Sequence, residues 1–505
     1  MRHALVIISA VLVCASASGQ NVMTRTERAT DPLVSMGHGT AASYSVISGL
    51  SSPYLPLTMT SVQLLYKDES DATVPQEGDG LLQGAFNAES FVRLNGRSVV
   101  TGNVSYQRGT RRNVIWNESS DYELLRPYVL ADSVGGDLQR EQYAFRGGWA
   151  AVVGNTRFGI EGSYRALHEY RNVDPRPRNI SSDLHAKVSA GRNIGAIGLD
   201  LACGYRKYSQ SESVVFLNQK GANTSIFHMT GLGSHYSRFE GTGTFSNTGY
   251  RGNGFEACLL AYPVSGERWI AGASWSGISI SNHLMSQNEA PITSLFKQNA
   301  EMFAAFKWRR ETCDFGIAGR LEHELRQGDE IVIDNNATGV YLDLLSLPQY
   351  TERVYDAGVD GFIRWHRPCG SWSISPSAAF HSSSSEIRYP ARVMEYMSVS
   401  PGMALGYSYA GGLWLVRADA SLSADINIGK SLKLPLKYTQ DAFRKAYTHM
   451  YERLTDDYIH AGLGLFAQRA VSDALAIFLR AEAAVRSFSS GEHGMSVSLS
   501  IGTSF

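Results

Sequence analysis

The sequence predicts an all-β chain that folds as a transmembrane antiparallel β-barrel of about 18 strands, with 14 or 16 the count if the weak segments at 58–68 and 234–262 drop out. Three observations carry this. Apolar and polar residues alternate with period two, the mark of strands. Both faces need housing, because one is apolar and the other is charged or hydroxyl-rich. Short turns alternate with long connections, the asymmetry of a barrel with short periplasmic turns and long extracellular loops.

The last eleven residues (MSVSLSIGTSF) show the period best. Met495, Val497, Leu499, Ile501, Thr503 and Phe505 share one face, and Ser496, Ser498, Ser500, Gly502 and Ser504 share the other. Lipid outside and an aqueous lumen inside would satisfy both faces. An aromatic final residue on such a strand resembles the insertion signal of bacterial outer-membrane barrels. The resemblance implies the outer membrane of a Gram-negative cell as location, its lipid as surroundings and the barrel assembly machinery as a partner. The plainer reading is the closing strand of a soluble sandwich.

The start of the chain argues for export. Met1-Arg2-His3 is basic, Ala4 to Ala15 is an apolar run, and Ala15-Ser16-Ala17 supplies small residues for cleavage. We read residues 1–19 as a signal peptide, since the run is too short to span a membrane. Residues 20–57 show no clear period and are expected to form an arm in the periplasm or the lumen. Residues 58–505 are expected to form the barrel.

Composition agrees. Mean hydropathy is -0.17, and no later apolar run reaches the roughly 18 residues of a membrane helix. Gly is 49, Tyr 25 and Trp 8 of 505 residues, a glycine and aromatic content that suits a barrel. A net charge of -1 argues against a nucleic-acid partner. Cys203, Cys258, Cys313 and Cys369 are spread out with no CxxC, so neither a zinc site nor a dense disulfide framework is expected, and the chain is read without a metal or cofactor.

Along the chain, Gly84 to Leu94 alternates and is followed by Asn95-Gly96, a strong hairpin signal. Further short joints are expected at Asn155-Thr156, Ile194-Gly195, Val264 to Gly266, Glu311 to Asp314, Pro368 to Gly370, Ala410 to Gly412 and Val471 to Asp473. Long connections are expected at about 110–140, 213–247, 282–295, 328–351 and 428–454. Charged residues recur on one face, as in Arg480, Glu482 and Arg486, where a sandwich core would tolerate few. Trp149, Trp269, Trp308, Trp365, Trp372, Trp414 and Tyr458 near strand ends suit interfacial belts.

The densest polar segment runs through Ser163-Tyr164-Arg165-Ala166, Glu169-Tyr170-Arg171, Asp174-Pro175-Arg176-Pro177-Arg178-Asn179 and Ser182-Asp183-Leu184. With Arg126-Pro127-Tyr128, Ala131-Asp132 and Gly147-Gly148, it resembles a family of Bacteroidota outer-membrane barrels of unknown function. That resemblance implies fold and compartment and no mechanism. Arginines suit bidentate binding of phosphate or carboxylate. Arg165, Arg171, Asp174, Arg176, Arg178 and Asn179 are therefore the candidate ligand-binding residues. The plainer reading pairs these arginines with Asp174, Asp183 and Glu169 to lock the loop.

Phe443, Tyr447, Met450, Tyr451 and Leu454 recur at three and four residues after a possible cap at Thr439, which predicts a helix in the 428–454 connection. Enzyme signals are poor. His168-Glu169 and His323-Glu324 lack the second histidine of HExxH, and no GxSxG is present, so no catalytic residues are expected. The expected function is a porin-like solute channel, transporter or surface binder. Its rivals are a docking subunit for secreted or surface proteins, such as a surface lipoprotein, and a barrel hydrolase. A wide lumen favours the channel, an occluded one with large ordered loops favours docking, and a histidine within reach of a serine or aspartate at the rim favours the hydrolase.

Overall fold

The structure, a computed structural model, describes residues 22–29, 31–52, 55–217, 226–240, 246–266, 268–333, 343–368 and 370–505. The expected signal peptide lies outside these residues. Eighteen strands form one antiparallel sheet. They are β1 (Leu57–Glu69), β2 (Gly80–Asn95), β3 (Ser98–Val114), β4 (Gly136–Val153), β5 (Thr156–Tyr170), β6 (Arg176–Ile194), β7 (Ile197–Val215), β8 (Asn247–Pro263), β9 (Trp269–Leu284), β10 (Ala290–Arg309), β11 (Cys313–Ile333), β12 (Asp343–Arg367), β13 (Gly370–Ile387), β14 (Arg392–Gly411), β15 (Trp414–Lys433), β16 (Tyr458–Ala470), β17 (Ala476–Phe488) and β18 (His493–Ser504). Each pairs with its neighbour in sequence. The sheet closes where β1 pairs with β18, from Met59↔Ser504 to Glu69↔Gly494, so among the described residues the barrel has no free edge strand.

Alternation decides the faces. Val497, Leu499 and Ile501 are exposed on the outer wall, whereas Ser498, Ser500 and Ser504 are buried inward. The outer wall is an apolar band that includes Val62, Ile160, Leu201, Phe255, Met302 and Leu463, all exposed. A band of this extent needs a hydrocarbon surrounding. The two-residue turns all lie at one end, opposite the four-residue turns at 388–391 and 489–492. Gly154 and Gly195 each enter a two-residue turn at φ 61° and 60°, the left-handed region that glycine reaches without strain. Trp149, Trp269, Trp308, Trp365, Trp372 and Trp414 ring that end on the outward faces. Tyr458 departs from the expected belt. It turns inward at the other end, 5.2 Å from the Phe488 ring.

Loop length is concentrated in 115–135, 216–246 and 434–457. The connection expected at 282–295 is mostly strand, with β9 and β10 reaching Leu284 and Ala290. Much of 328–351 is likewise strand, because β11 extends to Ile333 and β12 begins at Asp343.

Both ends of the lumen are filled. At the short-turn end a helix α1 (Val22–Ala29) and short helical turns to Ser51 pack inside the wall. Ala41 and Tyr44 bury against Leu260, Tyr262, Ile270 and Phe303, and Val46 and Ile47 bury against Val99 and Ala150. Inward cations hold the segment by its carbonyls: Arg93 donates to Ser52 O at 2.6 Å, Arg146 to Ala42 O at 3.2 Å, and Lys187 to Ser43 O at 3.2 Å. At the long-loop end, the three long loops share an apolar core. Its helix, α2 (Asp441–Leu454), buries Phe443, Tyr447, Met450 and Tyr451, and the Phe443 ring lies 4.9 Å from both Trp116 and Phe227. Burying each such side chain contributes about 1.5–3 kcal/mol. Thr439 is not the helix cap. Gln440 holds that position, and the Thr439 hydroxyl accepts from Arg392 at 3.2 Å.

Candidate functional site

Loop 115–135 leaves β3 and drops into the barrel. Asn117, Glu118, Ser119 and Ser120 are fully buried there, so each needs a partner. Asn117 donates to Gln76 O at 3.0 Å, Ser119 to Glu212 at 2.8 Å and Ser120 to Glu169 at 3.0 Å, and Glu118 pairs with Arg171. Farther along, Arg126 reaches the opposite wall. Its Nη1 donates to both carboxylate oxygens of Glu352 at 2.7 Å, and Arg326 donates to Arg126 O at 3.2 Å. The loop is thus a strut across the lumen. Burial pushes the Tyr447 phenol of the cap up to about 12 and raises those of Tyr122 and Tyr128. All three stay neutral and pack as apolar rings.

The structure divides the candidate ligand-binding residues. Arg165 faces inward and clasps Asp121 at 2.8 and 2.7 Å, with Asp183 at 3.6 Å. Arg171 is buried, pairs with Glu118 and with Asp132 at 2.9 Å, and donates through Nε to Pro175 O at 2.7 Å. Asn179 is buried and donates to Glu118 O at 2.7 Å. Asp174 and Arg176 form a separate pair at 2.7 Å on the rim. Arg178 is exposed and shares its strand face with the exposed outward residue Ile180. Of the expected carboxylate partners, Asp183 also takes Arg206 at 2.9 and 2.7 Å, while Glu169 pairs with Arg111 instead.

Beneath the strut lies a cavity of about 390 Å³, lined by Glu77, Arg111, Asp121, Arg140, Arg165, Glu169 and Asp183 among others. Its volume falls in the range of small-molecule sites, about 300–1,000 Å³. Most of these charges are paired. Among the described residues, Arg140 has no carboxylate within 4.0 Å and Glu77 no cation; Arg140 Nε is also buried without an acceptor. An unsatisfied donor of this kind is costly unless something occupies it.

The profile of a family of unknown function (DUF6850) matches residues 49–505. The chain belongs to that family. No curated protein sequence matches it. Among solved structures it is similar to BauA, the ferric preacinetobactin receptor of Acinetobacter baumannii, at 8% identity and a TM-score of 0.37, over 89% of this chain and 80% of that one. It is also similar to the siderophore receptor PiuA of Acinetobacter baumannii, at 7% identity and a TM-score of 0.38, over 89% and 82% of the two chains. A third is the unliganded ferric citrate transporter FecA, at 9% identity and a TM-score of 0.37, over 89% and 78%. Identities and TM-scores this low say nothing of what this chain binds.

Sequence reasoning missed half of the site. Arg111, Arg140 and Arg206 sit on strands far from the arginine-rich segment, and Glu118 and Asp121 sit on a loop without a repeat. For Arg178 a signal existed. Residues 178, 180, 184 and 188 share one parity, and Ile180, Leu184 and Val188 place that face outward.

Proposed function

We propose that the protein is an integral outer-membrane barrel of a Gram-negative cell, inserted by the barrel assembly machinery, that binds a small solute under its cap and admits it when the plug moves. The apolar band, the tryptophan ring and the closed sheet support the membrane placement. The two-residue turns, Val22 and the end of β18 then face the periplasm, and the long loops face outward. The observation that carries the solute reading is the double closure. The chain's own segments fill both ends of the lumen, and a polar cavity remains between them. The two unpaired charges in that cavity, Arg140 and Glu77, suit a solute carrying both signs of charge.

Planar bilayers test this. The intact protein should be silent, and a variant lacking residues 22–51 should conduct whenever the remaining closure, the cap, opens. If the variant folds but stays equally silent, the occluded barrel with its large ordered cap is better read as a docking subunit for a surface lipoprotein. Lys445, His449 and Glu452, exposed on α2, would belong to that surface.

A further inference from the structure

The outer wall at the long-loop end carries a second arrangement, unrelated to the lumen. On β9 the buried residues Ile278, Ile280 and Asn282 point inward, so Ser281 and His283 point outward. Ser281 Oγ and His283 Nε2 are 2.8 Å apart, and His283 Nδ1 is 2.9 Å from Glu289 O. A carbonyl can only accept, so Nδ1 carries the ring proton in the neutral imidazole, and Nε2 is left to accept from the Ser281 hydroxyl. The hydroxyl's other contact, to Arg251 O, is longer at 3.4 Å. This is a nucleophile, a base and a group that orients the base.

Two further features favour a built site. Asn288 and Glu289 hold φ of 53° and 58°, a left-handed conformation that costs a glutamate free energy, and this bend presents the Glu289 carbonyl to the ring. Arg251, which pairs directly with Ser281 across the β8–β9 ladder, fixes the Glu289 carboxylate at 2.7 Å. Cross-strand partners lie close on one face, so the Arg251 side chain leaves the sheet beside Ser281. Toward the middle of the band, exposed Trp275 and Phe255 continue the same wall.

We propose that Ser281 and His283 form a hydrolase site for acyl esters of membrane lipids in the leaflet at the long-loop end. Ser281 Oγ attacks the ester carbonyl carbon while His283 Nε2 takes the hydroxyl proton. Arg251, on the strand position opposite Ser281, is the cation offered to the oxyanion. The intermediate collapses, the C–O bond to the glycerol oxygen breaks, and His283 returns the proton to that oxygen. Solvent water, deprotonated by His283, then cleaves the acyl-serine, releasing a fatty acid and restoring the hydroxyl. The acyl chain would run down the wall over Trp275 and Phe255. The inference rests on the membrane placement and is independent of the solute reading.

The test uses the full-length protein in mixed micelles of phosphatidylethanolamine, with release of fatty acid measured. Ser281→Ala and His283→Ala should each lower release by roughly 10³-fold or more, and Ser279→Ala, one step along the same face, should not. A long-chain alkyl fluorophosphonate should label Ser281, as read by mass spectrometry, and label it more slowly in His283→Gln. Unchanged heat-modifiable migration shows that each variant is folded. Release that survives Ser281→Ala, or the absence of both release and labelling in the unmodified protein, overturns the proposal. Turnover of a water-soluble short-chain ester with none of the phospholipid, or labelling without turnover of either, overturns the lipid assignment. Silent bilayers in the plug-deletion experiment leave this inference untouched.

Discussion

Arg364 on β12 binds Asp31 of the plug, with Nη1 donating to Asp31 Oδ1 at 3.0 Å. The same guanidinium donates through Nε to Asp314 on β11 at 3.1 Å, and Arg309 stands 3.6 Å from Asp31. The wall pair Asp314–Arg364 would therefore exist without the plug, and Asp31 joins it as a third member. Asp31→Asn should loosen the plug while leaving the wall intact, at a cost of about 1–3 kcal/mol for the weakened charged hydrogen bonds. Single-channel recordings should then show openings that the unmodified protein lacks, with migration on unboiled gels unchanged. Arg364→Gln should open further, because it removes the bonds to Asp31 and sets that carboxylate beside Asp314 with Arg309 at 3.6 Å. Equal silence in both variants would show that the plug is held elsewhere.

The cap has an equivalent strut. Arg126 supplies two 2.7 Å bonds to Glu352, which is almost fully buried. Arg126→Ala removes these, but Arg326 stays 3.4 Å from Glu352, so the cost should be that of the lost charged hydrogen bonds, about 1.5–3 kcal/mol. Loop 115–135 should become open to limited proteolysis in intact vesicles. Glu123→Ala removes an exposed partner of the same arginine and should cost at most about 1 kcal/mol. Matching proteolysis of the two variants would count against the strut.

Much of this architecture can be read from the residues. Alternation in Met495–Phe505 assigns lipid and lumen to the correct faces, and the short joints fall where the chain turns. The plug is harder to read. Between Val22 and Ser51, α1 has eight residues and the helical stretch Pro32–Tyr44 is interrupted by a π turn at Ser35–Gly39, so no regular 3.6-residue stripe can accumulate. The strands at 282–295 and 328–351 extend past the apolar band. Their outer residues there leave the apolar band for its polar boundary, as His283 does, and the alternation fades although the hydrogen-bonded ladder continues. The site suffers from a different difficulty. Arg165 meets Asp121 only because the strut crosses the lumen, a long-range contact with no local trace in the sequence.

The terminal strand gives a sharper test of the faces than its sequence alone suggests. Leu499→Asp and Ile501→Asp place carboxylates on the lipid face, costing somewhat less than the ~2–4 kcal/mol of a basic residue at the midplane. Assembly into the heat-modifiable form should fall. Lumen-facing controls are not equal to one another. Ser500 lies opposite Arg480, so Ser500→Asp should be tolerated. Ser498 donates to Glu482 at 3.2 Å, so Ser498→Asp would set two carboxylates side by side and should assemble less well. Equal behaviour of Leu499→Asp and Ser500→Asp would contradict the face assignment.

Arg171 and Arg178 lie seven residues apart and should behave as opposites. Arg171 is buried between Glu118 and Asp132, and both carboxylates belong to the strut. Arg171→Ala leaves them uncompensated, which should cost about 3–5 kcal/mol and release the strut from the β5–β6 wall. Arg171→Lys keeps the charge but loses the fork that reaches both acids and the Pro175 carbonyl, so it should recover only part of the loss. Arg178 points outward with no ion pair among the described residues, and Arg178→Ala should change stability by no more than about 0.5 kcal/mol. Urea midpoints for the native-to-unfolded gel shift measure both. Solute binding separates the remaining possibilities. If these arginines bind a ligand directly, Arg171→Ala should abolish binding at urea concentrations where the cap remains resistant to protease. If Arg171 is a tie for the strut, binding and protease resistance should be lost together, because the cavity wall that Asp121 and Glu169 complete depends on the loop that Arg171 anchors.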